Sequence, residues 1–298
     1  YPIWPFLNRV WQKGWLYRGH DVMPWCPRCE TGISQHEIVT DGYQDLTHDA
    51  PVVRFPLRER DREALLVWTT TPWTLTSNVA AAVGPELTYV KVKARDGWTY
   101  YLAEGTLDAV IKGEHEVLDR LKGEELVGWT YNGPFDDLPQ VQAMDIPDEH
   151  RVIPWEDVGE EEGTGIVHIA PGCGAEDFEL GEAFDLPALA PLDQEGVFQD
   201  GFDWLTGKNV HHVAHEIFHD LEGKGRLYRV DAYTHRYPVC WRCATPLVFR
   251  LVDEWFIDMG EHYDKPREKV TEKEKDNSLR YQIMDVVDEI EWIPEFGY

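Results

Sequence analysis

The stretch Val67-Trp-Thr-Thr-Thr-Pro-Trp-Thr-Leu-Thr-Ser-Asn78 sets five threonines and a serine among two tryptophans, a proline and an asparagine. The strand-like run that leads through its start is Glu63-Ala-Leu-Leu-Val-Trp-Thr-Thr-Thr71. The junction reads as a β-strand ending in a polar turn, because β-branched residues suit strands and Pro72 breaks the run. A turn needs few hydroxyls, however, and such a cluster beside aromatic rings also suits a pocket for a polar ligand. On these residues alone both readings stand.

Composition narrows the class of protein. At 298 residues with 43% hydrophobic and 12% aromatic content, the chain can fill the core of a folded domain plus a smaller module. No run of about 18 apolar residues is present, so no membrane partner is expected, and Tyr1 to Gly14 lacks the order of a signal peptide. The absence of an initiator Met points to a piece of a longer protein. Asp and Glu number 55 against 28 Lys and Arg, a formal net charge of −27. The acids are scattered along the whole chain, which favours a halophilic source over a cationic partner. In such a setting a Debye length of about 3 Å at 1 M salt screens self-repulsion, and it also weakens the usual argument from acidity against nucleic-acid binding.

Between residues 51 and 215 strand signals dominate, in PVVRFPL, EALLVWTTT, LTYVKVKA, WTYYLA and GTGIVHIA, separated by Gly, Pro and Asp turns. The helical candidates are Phe6 to Trp15, TLDAVIKG, GAEDFELGEAF, HHVAHEIFHDLEGKG, and a charged tail segment with Ile283, Val286, Val287 and Ile290 on one face. The expectation is a mixed α/β fold, β-rich and barrel-like, on a small zinc-ribbon-like stem.

The stem rests on cysteines. Four of the five form the pairs Cys26-Pro-Arg-Cys29 and Cys240-Trp-Arg-Cys243, each shortly after a proline. An odd total without an export signal points to a reducing, cytoplasmic compartment. Two such knuckles supply the four thiolates of a tetrahedral zinc site; a redox dithiol or unrelated buried thiols are the alternatives. If one metal holds both pairs, everything between them is an insertion on a clamped stem. The division that follows is 1–50 for the first half of the stem, 51–215 for the inserted domain, 216–260 for the stem return, and 261–298 for a charged helical segment.

A second motif runs from Gly163 to Phe178, GTGIVHIAPGCGAEDF. His168 alternates with apolar residues, and Glu176 and Asp177 fall in the first turn of the following helix. Each has a plain structural role available, as a core histidine or as a carboxylate on a helix dipole. The glycines do not keep the G-x-G-x-x-G spacing, which excludes a dinucleotide fingerprint.

Together WTTTPWTLTSN and GTGIVHIAPGCGAEDF resemble the editing domain inserted in the class I catalytic domain of isoleucyl-tRNA synthetases. The flanks GWLYRGHDVMPWCPRCETGIS, HRYPVCWRCATPLVFRLVDEWFI and IEWIPEFG resemble the way into that insertion, its exit and the strand leading back. The resemblance implies hydrolysis of the ester in mischarged valyl-tRNA(Ile), and of misactivated valine in the full enzyme. By position it implies a catalytic set of Thr69, Thr70, Thr71, Thr74 and Asp177, the last holding the substrate ammonium, with Trp68, Asn78 and His168 binding substrate. His168 would help to exclude the cognate side chain.

Thr76 and Ser77 and the acidic lead-in EDVGEEEG depart from the family pattern. Neither His-x-Gly-His nor Lys-Met-Ser-Lys-Ser occurs, so ATP and Mg chemistry would belong to a catalytic core outside this chain. The expected partners are tRNA(Ile) carrying valine and the rest of the synthetase chain, with the protein monomeric. A zinc-stabilised tRNA-binding module without its own catalysis is the alternative from another class. A metallohydrolase using His211, His212, His215 and His219 is a third, though these read better as a surface helix.

Overall fold

The computed structural model describes residues 2–263 and 265–291. Its strands are β1 (Leu16–Cys26), β2 (Thr31–Gly32), β3 (Tyr43–Pro56), β4 (Glu63–Trp68), β5 (Ala80–Val83) and β6 (Thr88–Ala94), then β7 (Thr99–Ala103), β8 (His115–Lys122), β9 (Val152–Pro154), β10 (Ile166–Ile169), β11 (Leu227–Pro238) and β12 (Val248–Ile257). They form three sheets, ordered β11-β3-β4-β7-β6-β8, β10-β5-β9 and β12-β1-β2. The fold is mixed α/β and rich in sheet, as expected. The six-stranded sheet stays open, with β11 and β8 at its edges, so the described strands close no barrel.

The inner strands of that sheet, β4 and β7, are buried on both faces, which is why they read as continuous apolar runs. Val53, Phe55, Leu65, Val67, Tyr101 and Ala103 point to the main core. Their neighbours Val52, Ala64, Leu66, Tyr100 and Leu102 point to a second core on the other side, closed by Val110 and Ile111. The period of two along each strand makes this division. β3 and β11 pair antiparallel from Val53 with Leu227 to Tyr43 with Pro238, so a long ribbon joins distant parts of the chain.

The chain divides into two compact units, Val22–Val252 and a second made of Tyr1–Asp21 with Asp253–Tyr298. In the second unit, the helix Ile3–Gln12 begins earlier than the apolar pattern from Phe6 suggests. Pro2 and Pro5 fall at its start, where a missing N–H costs nothing. Trp11 meets Trp255 edge to face at 6.2 Å. In the tail, the helix Leu279–Asp288 buries Leu279 and Tyr281 and leaves Ile283 and Val286 exposed. Arg267 bridges Asp285 and Asp288 beneath it. The IEWIPEFG segment lies outside the described residues from position 292 onward.

Candidate functional site

The threonine stretch leaves the end of β4 and turns into a 3-10 helix, Pro72–Ser77, with proline at its first position and every residue buried. The bend is held by its own hydroxyls. Thr69 Oγ1 accepts from the Thr71 amide at 3.0 Å. Thr74 Oγ1 donates to the Thr71 carbonyl at 2.8 Å and lies 2.9 Å from His168 Nε2. Since the Thr74 proton is committed to Thr71, His168 Nε2 must donate to Thr74, which fixes the tautomer. Burial lowers the His168 pKa to about 4, so the ring is neutral at ordinary pH. Its Nδ1 is buried and without a partner among the described residues. The hydroxyls of Thr70 and Thr71 carry no hydrogen bond among the described residues and line the cavity, free for a ligand.

His168 arrives from β10, which pairs antiparallel with β5 so that His168 faces Ala81. Beyond β10, a turn through Gly172 and Gly174 leads into the helix Ala175–Phe184. A Cβ on Gly172 would lie 2.1 Å from the Leu189 carbonyl oxygen, and one on Gly174 would lie 2.2 Å from Asp177 Oδ2. Only glycine leaves room for the turn to close and for the Asp177 carboxylate to sit above it.

Asp177 Oδ1 accepts from the Ala170 amide at 2.7 Å. Burial and, to a lesser degree, the neighbouring Glu176 charge raise its pKa to about 6, against the pull of backbone amides. No cation pairs with it among the described residues. A half-buried carboxylate at a helix start with no counter-ion is a ready place for a small ammonium group.

These residues surround one cavity of about 330 Å³, lined by Trp68, Thr69, Thr70, Thr71, Thr74, His168 and Asp177 among others. Two stretches more than ninety residues apart in sequence thus meet on it, as Thr74 with His168 shows. Asn78 does not line it. Its Nδ2 donates to the Ala80 carbonyl and its Oδ1 accepts from Tyr131, so the side chain is spent on the frame. Sequence reasoning missed Tyr237, Pro238 and Phe249, which line the same cavity from the returning strands. Nothing in their own stretch marks them; the β3–β11 ribbon brings Tyr237 and Pro238 there, and Phe249 comes from β12.

Cys173 also lines the cavity, but burial pushes its thiol well above the ordinary range, away from the nucleophilic thiolate. A smaller cavity of about 290 Å³ adjoins through Trp68 and Val167, walled by Gly163, Thr164 and Gly165.

The sulfur atoms of Cys26, Cys29, Cys240 and Cys243 lie within 4.8 Å of one another. Cys26 to Cys243 is 3.5 Å and Cys29 to Cys243 is 3.6 Å, near the edge of about 3.8 Å that a tetrahedron of 2.3 Å metal–sulfur bonds requires. Each knuckle ends on a left-handed residue, Glu30 and Ala244, and the four thiols pack with Ile33, Ile38 and Leu247 in a small core of their own. These residues would hold a metal ion. The histidines do not: His211, His212, His215 and His219 form no such cluster among the described residues.

The family model for class I tRNA synthetases (I, L, M and V) matches residues 2–298. The chain belongs to this family. Among class I synthetases it is 39% identical over 295 residues to the isoleucine–tRNA ligase of Methanothermobacter thermautotrophicus, covering 99% of this chain and 26% of that one. It is 42% identical over 274 residues to the isoleucine–tRNA ligase of Pyrococcus abyssi, covering 88% of this chain and 25% of that one. The chain therefore spans about a quarter of the length of these synthetases. Among solved structures it is similar to GlLeuRS-CP1, at 13% identity and a TM-score of 0.48, over 62% of this chain and 99% of that one. It is also similar to the P. knowlesi cytosolic leucyl-tRNA synthetase editing domain, at 12% identity and a TM-score of 0.47, over 64% of this chain and 98% of that one. No described helix is long and apolar enough to cross a membrane.

Proposed function

We propose that this chain is the editing portion of an isoleucyl-tRNA synthetase and hydrolyses the aminoacyl ester of valyl-tRNA(Ile). The observation that carries the reading is the Asp177 carboxylate, left without a counter-ion in a cavity that also holds two unengaged threonine hydroxyls. The family membership and the isoleucine–tRNA ligase relatives support the choice of ester.

In this reading the ionised Asp177 holds the α-ammonium of the substrate and thereby orients the ester carbonyl. The Thr70 and Thr71 hydroxyls, not engaged within the protein, orient the attacking water and the developing oxyanion. Thr69 and Thr74 have a different task. Their hydrogen bonds keep the bend in shape, and Thr74 holds His168 in place as a wall that admits valine and excludes the larger side chain. A single methylene in an apolar pocket gives only about 1–3 kcal/mol of discrimination, a range that includes isoleucine against valine in this same enzyme family, and it is why a second, smaller pocket is useful. No step uses a covalent intermediate. An aminoacyl ester is already activated, and the buried Cys173 thiol is held protonated.

Zinc in the four-cysteine site would serve structure alone, joining Cys26 and Cys29 to Cys240 and Cys243 and so closing the base of the inserted domain. ATP and magnesium would act in the remaining three quarters of the synthetase.

The test is deacylation of valyl-tRNA(Ile) and isoleucyl-tRNA(Ile) in high salt by wild type, Asp177→Ala and Thr71→Ala. Valyl ester should be cleaved faster than isoleucyl ester, and both substitutions should depress valyl cleavage. Equal cleavage of the two esters would sink the sieve, and undiminished cleavage by both variants would sink the site.

A further inference from the structure

Asn78, Val79 and Ala80 form the joint between the threonine bend and β5, the strand that pairs with His168's strand, and all three are buried. Both Val79 backbone groups and the Asn78 side chain are tied. The Val79 amide donates to the Ile169 carbonyl at 2.8 Å, next to His168. Asn78 Oδ1 accepts from the Tyr131 hydroxyl at 2.9 Å. The Val79 carbonyl faces Nδ1 of His150 at 2.8 Å.

His150 is 1% exposed and stacks on Tyr131, ring centroids 4.9 Å apart. Its Nε2 lies 2.7 Å from Asp136 Oδ1, while Asp136 Oδ2 accepts from the Gly133 amide at 2.8 Å. Both ring nitrogens thus face acceptors, a carbonyl and a carboxylate. The Nδ1–H satisfies the carbonyl, and Nε2 pairs with the Asp136 carboxyl. The ring is buried while the Asp136 side chain keeps 26% of its surface exposed, and both ring nitrogens are met.

We infer that His150, braced by Asp136, is a positioning residue of the candidate site. It fixes the Asn78–Ala80 joint from the side opposite His168, and so sets the distance between the threonine bend and the histidine wall. The contact it controls is the 2.9 Å bond from His168 to Thr74. This inference rests on the editing reading for its effect on catalysis, but its effect on His168 does not.

The experiment has two readouts on the full chain. Nitrogen-15 spectra of labelled histidine report whether His168 holds the single tautomer that Thr74 imposes. Ester cleavage reports the ratio of kcat/KM for valyl over isoleucyl tRNA. His150→Ala should turn His168 into a mixture of tautomers and lower the ratio at least tenfold, mainly through kcat, because a displacement of about 1 Å is costly in a positioned site.

Asp136→Asn should preserve both readouts within about twofold. It keeps the Gly133 bond and offers Nε2 a donor, so a neutral ring retains its Nδ1–H on Val79. His150→Gln, which keeps one donor, replaces the alanine variant should that one not fold, and is expected to lie between. A folded His150→Ala protein with an unchanged His168 spectrum and an unchanged ratio would overturn the inference. So would an Asp136→Asn protein as impaired as His150→Ala, since that would mark a general structural role. If wild type cleaves neither ester, the editing reading falls, and the His168 spectrum alone decides the positioning role.

Discussion

Replacing Asp177 by Asn should make the protein more stable while removing its activity. Asp177 titrates at about 6 in the folded protein against an ordinary value of 3.8, so the folded state holds this proton more tightly than the unfolded chain does. Below about pH 3 both states are protonated and nothing is lost. As pH rises through the ordinary value toward the folded one, the unfolded chain ionises first and gains. The cost of the native carboxylate therefore grows to ~3 kcal/mol above about pH 7, at 1.36 kcal/mol per tenfold.

Asparagine mimics the protonated acid. Its Oδ1 can still accept from the Ala170 amide, and Gly174 still leaves it room. Asp177→Asn should thus gain up to ~3 kcal/mol at pH 7.5 and only about 1 kcal/mol at pH 4.5. For a domain of this size the larger figure is a rise in melting temperature of roughly 5–10 °C. Calorimetry in one high-salt buffer at the two pH values measures it. A variant less stable than wild type at pH 7.5, or a difference that does not shrink on acidification, would refute the claim that the folded protein carries an uncompensated carboxylate there.

The same group should set the pH dependence of the proposed ester cleavage. Activity above the spontaneous rate should climb as Asp177 ionises around pH 6, with no inflection from His168, which is neutral above about 4, and should fall again only where the substrate ammonium loses its proton, at about pH 8; activity already level below about pH 5 would contradict this. Metal analysis should find about one zinc per chain, and Cys29→Ser should lower both zinc content and melting temperature, since metal binding and folding are coupled at such sites. Gly172→Ala drives a Cβ against the Leu189 carbonyl and should cost ~2 kcal/mol, with loss of ester cleavage because the turn carries Asp177 to the cavity; urea unfolding measures the first part and deacylation the second.

The sheet was legible where burial on two faces left a plain mark, as in Glu63–Trp68 and Thr99–Ala103. It was not legible at β5, where Ala80, Ala81 and Ala82 are weak strand formers but fully buried, chosen for close packing between β9 and β10. Nor was it at β8, an edge strand whose residues are largely exposed and therefore charged. TLDAVIKG reads as a helix yet holds only Leu107–Val110, because a short apolar run cannot tell a turn of helix from a lid on the second core. At the site, spacing alone left His168 and Asp177 with ordinary structural roles, and the threonine bend with either of two. What favours a ligand role is that no cation pairs with Asp177 among the described residues, which no sequence displays. His150 and Asp136 carry no motif at all, since their meaning lies in two acceptors on one ring.

The ribbon that joins β3 to β11 also sets a timetable for the cell. Thr47 and Thr234 touch across it at 2.7 Å although 187 residues separate them. A ribosome adding about 5–20 residues per second needs roughly 10–40 s to deliver the second after the first. Throughout that interval β3 can gain β4 on one side, but its other edge stays unpaired and open to foreign strands. A nascent chain of this kind depends on the arrival of its own latecomer, so the pace of translation through residues 51–226 is part of how safely the molecule is made.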